Sequence, residues 1–170
     1  MKKVFCFFML LSVSLGVIFV FPTIANASVN TVNLTYELNE DKASYTVYGE
    51  FCYSPSKLVI PAEYNGLPVT HIGDYAFNAS KIVEAVLPDS LTTIGIAAFE
   101  STDLKSIVIP DSVTFIDYNA FAHIYLLEEV VFPDNIKELS YALFYNCGAL
   151  KTVVLPKNLE WHFIGHLQTN

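Results

Sequence analysis

The stretch SLTTIGIAAFE, residues 90–100, is followed twenty-two residues later by SVTFIDYNAFA, residues 112–122. Each begins with two apolar anchors three apart, Leu91/Ile94 and Val113/Ile116, and ends on an Ala-Phe pair at Phe99 or Phe121. Neither stretch reads as a simple helix or strand. The anchors recur as Val69/Ile72 and Ile136/Leu139, followed at the same distance by Phe77 and Phe144. Alanine precedes each of these phenylalanines except Phe144, where Leu143 stands.

Proline punctuates the unit, in VIP at Pro61, VLP at Pro88, VIP at Pro110, VFP at Pro133 and VLP at Pro156. The last four prolines are spaced 22, 23 and 23 residues apart. Before each proline stands a short apolar run, such as LKSIVIP ending at Pro110, with Leu104, Ile107 and Ile109 at positions −6, −3 and −1. Alternation at −3 and −1 suits a strand with one buried face. Proline then ends the ladder, because it has no N–H to donate. The longer units gain their extra residue between the phenylalanine and the next apolar run, which places a surface loop there. The first unit is longer because AEYNGLP, residues 62–68, replaces a short turn.

A unit this short cannot bury its own apolar side and needs a copy on each flank. The repeat therefore predicts a solenoid, with Phe99 stacked between Phe77 and Phe121 and Ile94 between Ile72 and Ile116. The pattern L-x-x-[VI]-x-[LIF]-P-[DK]-[SN]-[LVI]-x-x-I-x-x-x-A-F resembles the BspA-like leucine-rich repeats of bacterial surface proteins, and LTYELNEDKASYTVYGE, residues 34–50, resembles the leader that precedes such repeats. The resemblance implies a mainly β leucine-rich-repeat solenoid, right-handed and curved. It places a parallel sheet on the concave side and short helical turns or loops opposite. It also implies export and a role in adhesion or host-protein binding.

The organisation expected has four parts: a signal peptide at 1–27, an N-terminal β-hairpin cap at 28–57, repeats of 22–23 residues at 58–155, and a degenerate last repeat or C-terminal cap at 156–170. Lys2 and Lys3, the uncharged apolar run VFCFFMLLSVSLGVIFVF and Ala25-Asn26-Ala27 describe a secretory signal cleaved after Ala27. The apolar run is also just long enough to cross a bilayer, so an uncleaved anchor is the competing reading. Cys6 sits inside that run, which argues against a lipid-modified terminal cysteine. VNLTYEL and SYTVYGE alternate around the polar turn NEDK and read as a hairpin. Val32, Leu34, Tyr36 and Leu38 face Tyr45, Val47 and Tyr48 in that reading. In the last unit His162 and Leu167 occupy the isoleucine and phenylalanine slots. Trp161, Phe163 and Leu167 then either fold back as a cap or leave a frayed end.

Without the signal, seven lysines face seventeen acids, a net charge of −10, and there is no arginine. That balance opposes nucleic acid and anionic lipid, and no membrane partner is expected once the signal is removed. Cys52 and Cys147 sit several coils apart, roughly 15–20 Å at the spacing of stacked strands. A disulfide needs Cα atoms within about 7 Å, so two free thiols are expected, with Cys147 buried as Ile124 is in the preceding unit.

Catalysis would show as polar groups that break the repeat and converge. His162 and His166 have the spacing of two ligands on one helix face, but there is no HExxH and no third ligand nearby. His71 and His123 read as solvated or loop residues. No phosphate loop or G-x-S-x-G is present. Asp89, Asp111 and Asp134 follow the prolines and read as turn residues bonding local backbone; a calcium ladder is the sharper alternative. Asn33 and Asn78 begin glycosylation sequons. The chain is therefore expected to be no enzyme and to need no metal or cofactor, with a hydrolase only a remote alternative.

On the strands, position −2 points outward and carries Val59, Val86, Val108, Val131 and Val154, beside Glu84, Ser106, Glu129 and Thr152 at position −4. Strand propensity alone accounts for valine; an exposed apolar strip also marks a partner site. On the second reading, Glu84, Val86, Ser106, Val108, Glu129, Val131, Thr152 and Val154 form the ligand-binding face of a secreted or cell-surface module that takes a protein or glycan. The alternative is a structural unit in which the strip pairs weakly with another copy.

Overall fold

The computed structural model describes residues 33–49 and 56–159. These residues wind into a mainly β solenoid of about five turns, with no helix among them. The strands are β1 (Leu34–Leu38), β2 (Tyr45–Gly49), β3 (Lys57–Val59), β4 (Glu63–Tyr64), β5 (Leu67–Ile72), β6 (Glu84–Val86), β7 (Thr93–Ile94), β8 (Ser106–Val108), β9 (Phe115–Ile116), β10 (Glu129–Val131) and β11 (Thr152–Val154).

Three sets of hydrogen bonds join neighbouring coils, though the first is interrupted between β6 and β8 and the second ends at β9. The first is the set of strands that precede the prolines. β3 pairs in parallel with β6, and β10 with β8 on one side and β11 on the other, in a register that keeps equivalent residues side by side. Their middle residues face the core: Leu58, Ile107 and Val130 are buried, Ala85 and Val153 half-buried.

The second set was not legible as a ladder. β5, β7 and β9 run parallel in the order β2-β5-β7-β9, with Val47, Ile72, Ile94 and Ile116 in register. The Leu91/Ile94 type of anchor pair thus ends in a two-residue strand, too short to leave a period-two signature.

The third set runs through the turns around the phenylalanines. Tyr75, Phe77 and Ala79 donate their N–H groups to Ile96, Ala98 and Glu100 of the next coil, each at 2.8 Å. Ala97, Phe99 and Ser101 do the same to Tyr118, Ala120 and Ala122, and Asn119, Phe121 and His123 to Tyr141, Leu143 and Tyr145. Two positions of this turn take left-handed backbone in each of the four described phenylalanine turns: Tyr75, Ala97, Asn119 and Ala142 before the phenylalanine, and Ala79, Ser101, His123 and Asn146 after it.

Inside these ladders the phenylalanines form one file. Successive rings from Phe77 through Phe99 and Phe121 to Phe144 lie 5.3, 5.7 and 6.0 Å apart, near parallel at 23°, 9° and 14°. The backbone of Gly49 closes the first end. A Cβ there would stand 2.9 Å from Phe77 Cδ1, so only glycine lets β2 lie this close. At the other end Phe132 meets the Phe144 ring edge-on at 5.8 Å.

β1 and β2 form an antiparallel hairpin in which Tyr36 faces Val47 and Leu38 faces Tyr45. Val47 is fully buried, whereas Leu38 stays exposed; Val32 lies outside the described residues. The hairpin turn is fastened by Asp41, whose Oδ1 accepts from the Ala43 and Ser44 N–H groups and Oδ2 from Ser44 Oγ. The Ala43 bond first, then Ser44 Oγ, hold its carboxyl below the ordinary carboxylate range. AEYNGLP forms the β4–β5 hairpin, with Asn65 (φ 50°) and Gly66 (φ 79°) both left-handed, as a two-residue primed turn requires. That insertion brings Tyr64 flat onto Tyr36 at 3.8 Å, with Tyr45 edge-on to both. The extra residues of the first coil thereby dock onto the hairpin.

Phe99 has ring neighbours on both sides and no exposed surface. Replacing it with alanine is expected to cost about 3–5 kcal/mol, read as a lowered midpoint in chemical denaturation.

Candidate functional site: the valine face

The −2 valines lie where the sequence reading puts them. Val59 pairs in register with Val86, and Val131 with Val108 on one side and Val154 on the other. Val108 is the most open at 69% exposure, Val86 and Val154 are near 45%, and Val131 is half-buried. Glu84, Ser106, Glu129 and Thr152 form a parallel exposed row beside them. Glu84 is held by Lys57 of the preceding coil at 2.7 Å. Glu129 has no ion-pair partner among the described residues.

The face is not one uninterrupted sheet. β3–β6 and β8–β10–β11 are separate ladders. β6 and β8 remain neighbours, linked by the Lys105 N–H donating to the Val83 carbonyl at 3.3 Å. At its far end the face runs into a depression of about 400 Å3 lined by Phe132, Pro133, Val154 and Leu155, with Asp134 and Lys157 also in its wall.

The turn aspartates differ from expectation. Asp134 does not bond its own turn; it reaches the next coil, accepting from the Lys157 backbone N–H at 3.0 Å and from Lys157 Nζ at 2.7 Å. Both bonds lower its pKa, the Nζ bond first. Asp89 and Asp111 are exposed, and their carboxylates have no hydrogen bond among the described residues. Nor do any three His, Cys, Asp or Glu side chains among those residues converge as metal ligands would.

His71 is half-buried rather than solvated. Its Nδ1 lies 2.8 Å from Thr70 Oγ1 and 3.3 Å from Asn39 Nδ2, so it helps tie the hairpin turn to β5. The sequence could not show this, because Asn39 lies thirty-two residues away. His162, His166, Trp161, Phe163, Leu167 and Cys52 lie outside the described residues. Sequence reasoning also missed an aromatic group on the loops of the Phe121 and Phe144 coils. The available signal was the extra residue of those two units.

The chain matches the BspA type leucine rich repeat region over residues 44–163, in six copies. A leucine-rich repeat protein of T. pallidum is 29% identical with a TM-score of 0.71, over 75% of this chain and 60% of that one. The chain thus spans less than two thirds of that protein. A leucine-rich repeat protein from Bacteroides capillosus is 30% identical with a TM-score of 0.62, over 71% of this chain and 92% of that one. A leucine rich cell surface protein from Faecalibacterium prausnitzii is 26% identical with a TM-score of 0.52, over 82% of this chain and 44% of that one. Comparison with curated proteins finds no match. With that repeat matched over more than half its length, the chain belongs to the BspA-type leucine-rich repeat family.

One slot of the repeat carries a potential nucleophile. Three residues after each phenylalanine stand Ser80, Thr102, Ile124 and Cys147, all buried. Cys147 is a free thiol whose Sγ donates to the Phe121 carbonyl at 3.1 Å. Burial pushes it up to about 11, and a raised thiol pKa leaves little of the reactive thiolate near neutral pH. In peptide mapping after iodoacetamide at pH 8, Cys147 is expected to be unmodified in the folded protein and fully modified in guanidinium. Labelling of the folded protein would contradict its place in the core.

Proposed function

We propose that the protein is an exported, non-enzymatic binding module that holds a protein or glycan partner along the valine face. The observation that carries this reading is the exposure of in-register valines on strands whose opposite side already satisfies the core. The core fixes positions −3 and −1. It leaves −2 free, and threonine there would serve the strand equally well without a row of bare methyls. The face is rigid, because every strand is fixed by its neighbours, and little ordering cost attends association.

Export rests on the basic start, apolar run and small-residue end of residues 1–27. The likeness to a protein described as a leucine rich cell surface protein supports a secreted or surface location. The acidic, arginine-free surface favours neither nucleic acid nor anionic lipid. Among the described residues, no helix is long and apolar enough to cross a membrane.

The test is affinity capture from the native surroundings with the full-length protein and a Val108→Lys/Val131→Lys variant, each checked for folding by circular dichroism. A partner retained by the native protein is expected to be at least about tenfold depleted on the variant. Equal retention by a folded variant would reject the valine face as the site.

A further inference from the structure

We propose that the loops of the Phe121 and Phe144 coils carry a second binding site, for a neutral pyranose oligosaccharide. It is built from His123, Tyr125, Tyr145 and Asn146 beside Gly148. The starting point is a break in the repeat. One and four residues after the phenylalanine, the first two coils carry Asn78 and Glu100, then Lys81 and Asp103. Asn78 Nδ2 donates to Glu100 at 2.9 Å and Lys81 pairs with Asp103 at 3.3 Å. The next two coils carry Ala122 and Tyr145, then Tyr125 and Gly148, at the same places. The solvated ion pair of the early coils gives way to exposed rings, with Tyr125 60% and Tyr145 40% open. The change falls on the loops that hold the extra residue, where the fold tolerates variation and sites are placed.

The rings are arranged around polar atoms. His123 stands edge-on to Tyr145 at 5.3 Å and to Tyr125 at 6.4 Å. Asn146 Nδ2 lies 3.2 Å from His123 Nδ1 and 3.3 Å from Tyr125 Oη. An amide nitrogen can only donate, so Nδ1 accepts and the imidazole proton sits on Nε2. The cluster therefore keeps two donors, His123 Nε2–H and the Tyr125 hydroxyl proton, and the acceptor Asn146 Oδ1 without partners among the described residues. Beside Tyr125, the equivalent place in the next coil is Gly148, where a Cβ would meet nothing within 4 Å. An open flank next to a tyrosine, with a fixed donor and acceptor at its edge, suits a sugar ring. Its C–H face lies on an aromatic face while its hydroxyls take the polar atoms.

Size and charge narrow the occupant. A protein interface occupies roughly 20–30 residues a side, whereas this cluster is a handful. The excess of acid and the absence of arginine disfavour sulfated or carboxylated glycans. The site does not depend on the valine face.

The probes are cellotetraose and the tetramer of N-acetylglucosamine, each titrated calorimetrically into the full-length protein. At least one is expected to saturate at millimolar concentration or below. Tyr125→Ala is expected to weaken it about tenfold or more. Gly148→Val, which fills the open flank, should do the same, while Lys81→Ala at the matching place in the first coil should not. Three results would overturn the site: no saturation by either probe, binding indifferent to both Tyr125→Ala and Gly148→Val, or a loss confined to Val108→Lys. The last would put the sugar on the valine face and leave the function proposed above standing.

Discussion

A coil of twenty-odd residues has no inside of its own; each supplies the wall that its neighbour's apolar side lacks. Every core position must therefore meet its own counterpart one coil away, and the phenylalanine file is the largest instance. Each buried ring is worth roughly 2–3 kcal/mol before cavity terms. The ion pairs between coils, such as Lys57–Glu84 and Lys151–Glu128, are exposed, and such pairs contribute about 0–1 kcal/mol. The file decides stability, and the lysine–acid pairs adjust it.

The same constraint explains the backbone. Left-handed conformation costs an ordinary residue roughly 1–2 kcal/mol, yet two residues in each of the four described phenylalanine turns adopt it and none is glycine. The reversals flank the phenylalanine and aim alternate N–H groups along the solenoid axis, where the next coil's carbonyls accept them. Each such bond returns about 0.5–1.5 kcal/mol net and, more importantly, leaves no buried amide unpaired. The turns are thus held as firmly as the strands, which is what a binding surface built on them requires.

Most of this architecture was legible because repetition is a strong signal. Phe77, Phe99, Phe121 and Phe144 could be placed in one column from spacing alone, and the −2 valines could be placed outside. What escaped was of two kinds. Two-residue strands such as Thr93–Ile94 carry no alternation to detect. Contacts between distant segments, such as Tyr36 on Tyr64, His71 with Asn39 and Asp134 with Lys157, depend on docking that local pattern does not encode. The division of the valine face into two ladders also left no trace, since Val86 and Val108 look alike in sequence. The aromatic group on the later loops was hidden because Tyr125, Tyr145 and His123 come together only when two coils are laid in register.

With the interior fixed by self-complementarity, sequence is free to vary only on outward positions, and that is where both a valine face and an aromatic cluster stand. Their rigidity is borrowed from the column beneath. The central claim is that coils stabilise one another as nearest neighbours through that column, and double-mutant cycles with Phe→Leu substitutions measure it directly. Adjacent Phe99 and Phe121 should couple by about 0.5–1.5 kcal/mol, while Phe77 and Phe121, separated by a coil, should be additive within about 0.5 kcal/mol. Equal coupling for the two pairs, or none for the adjacent one, would contradict the account.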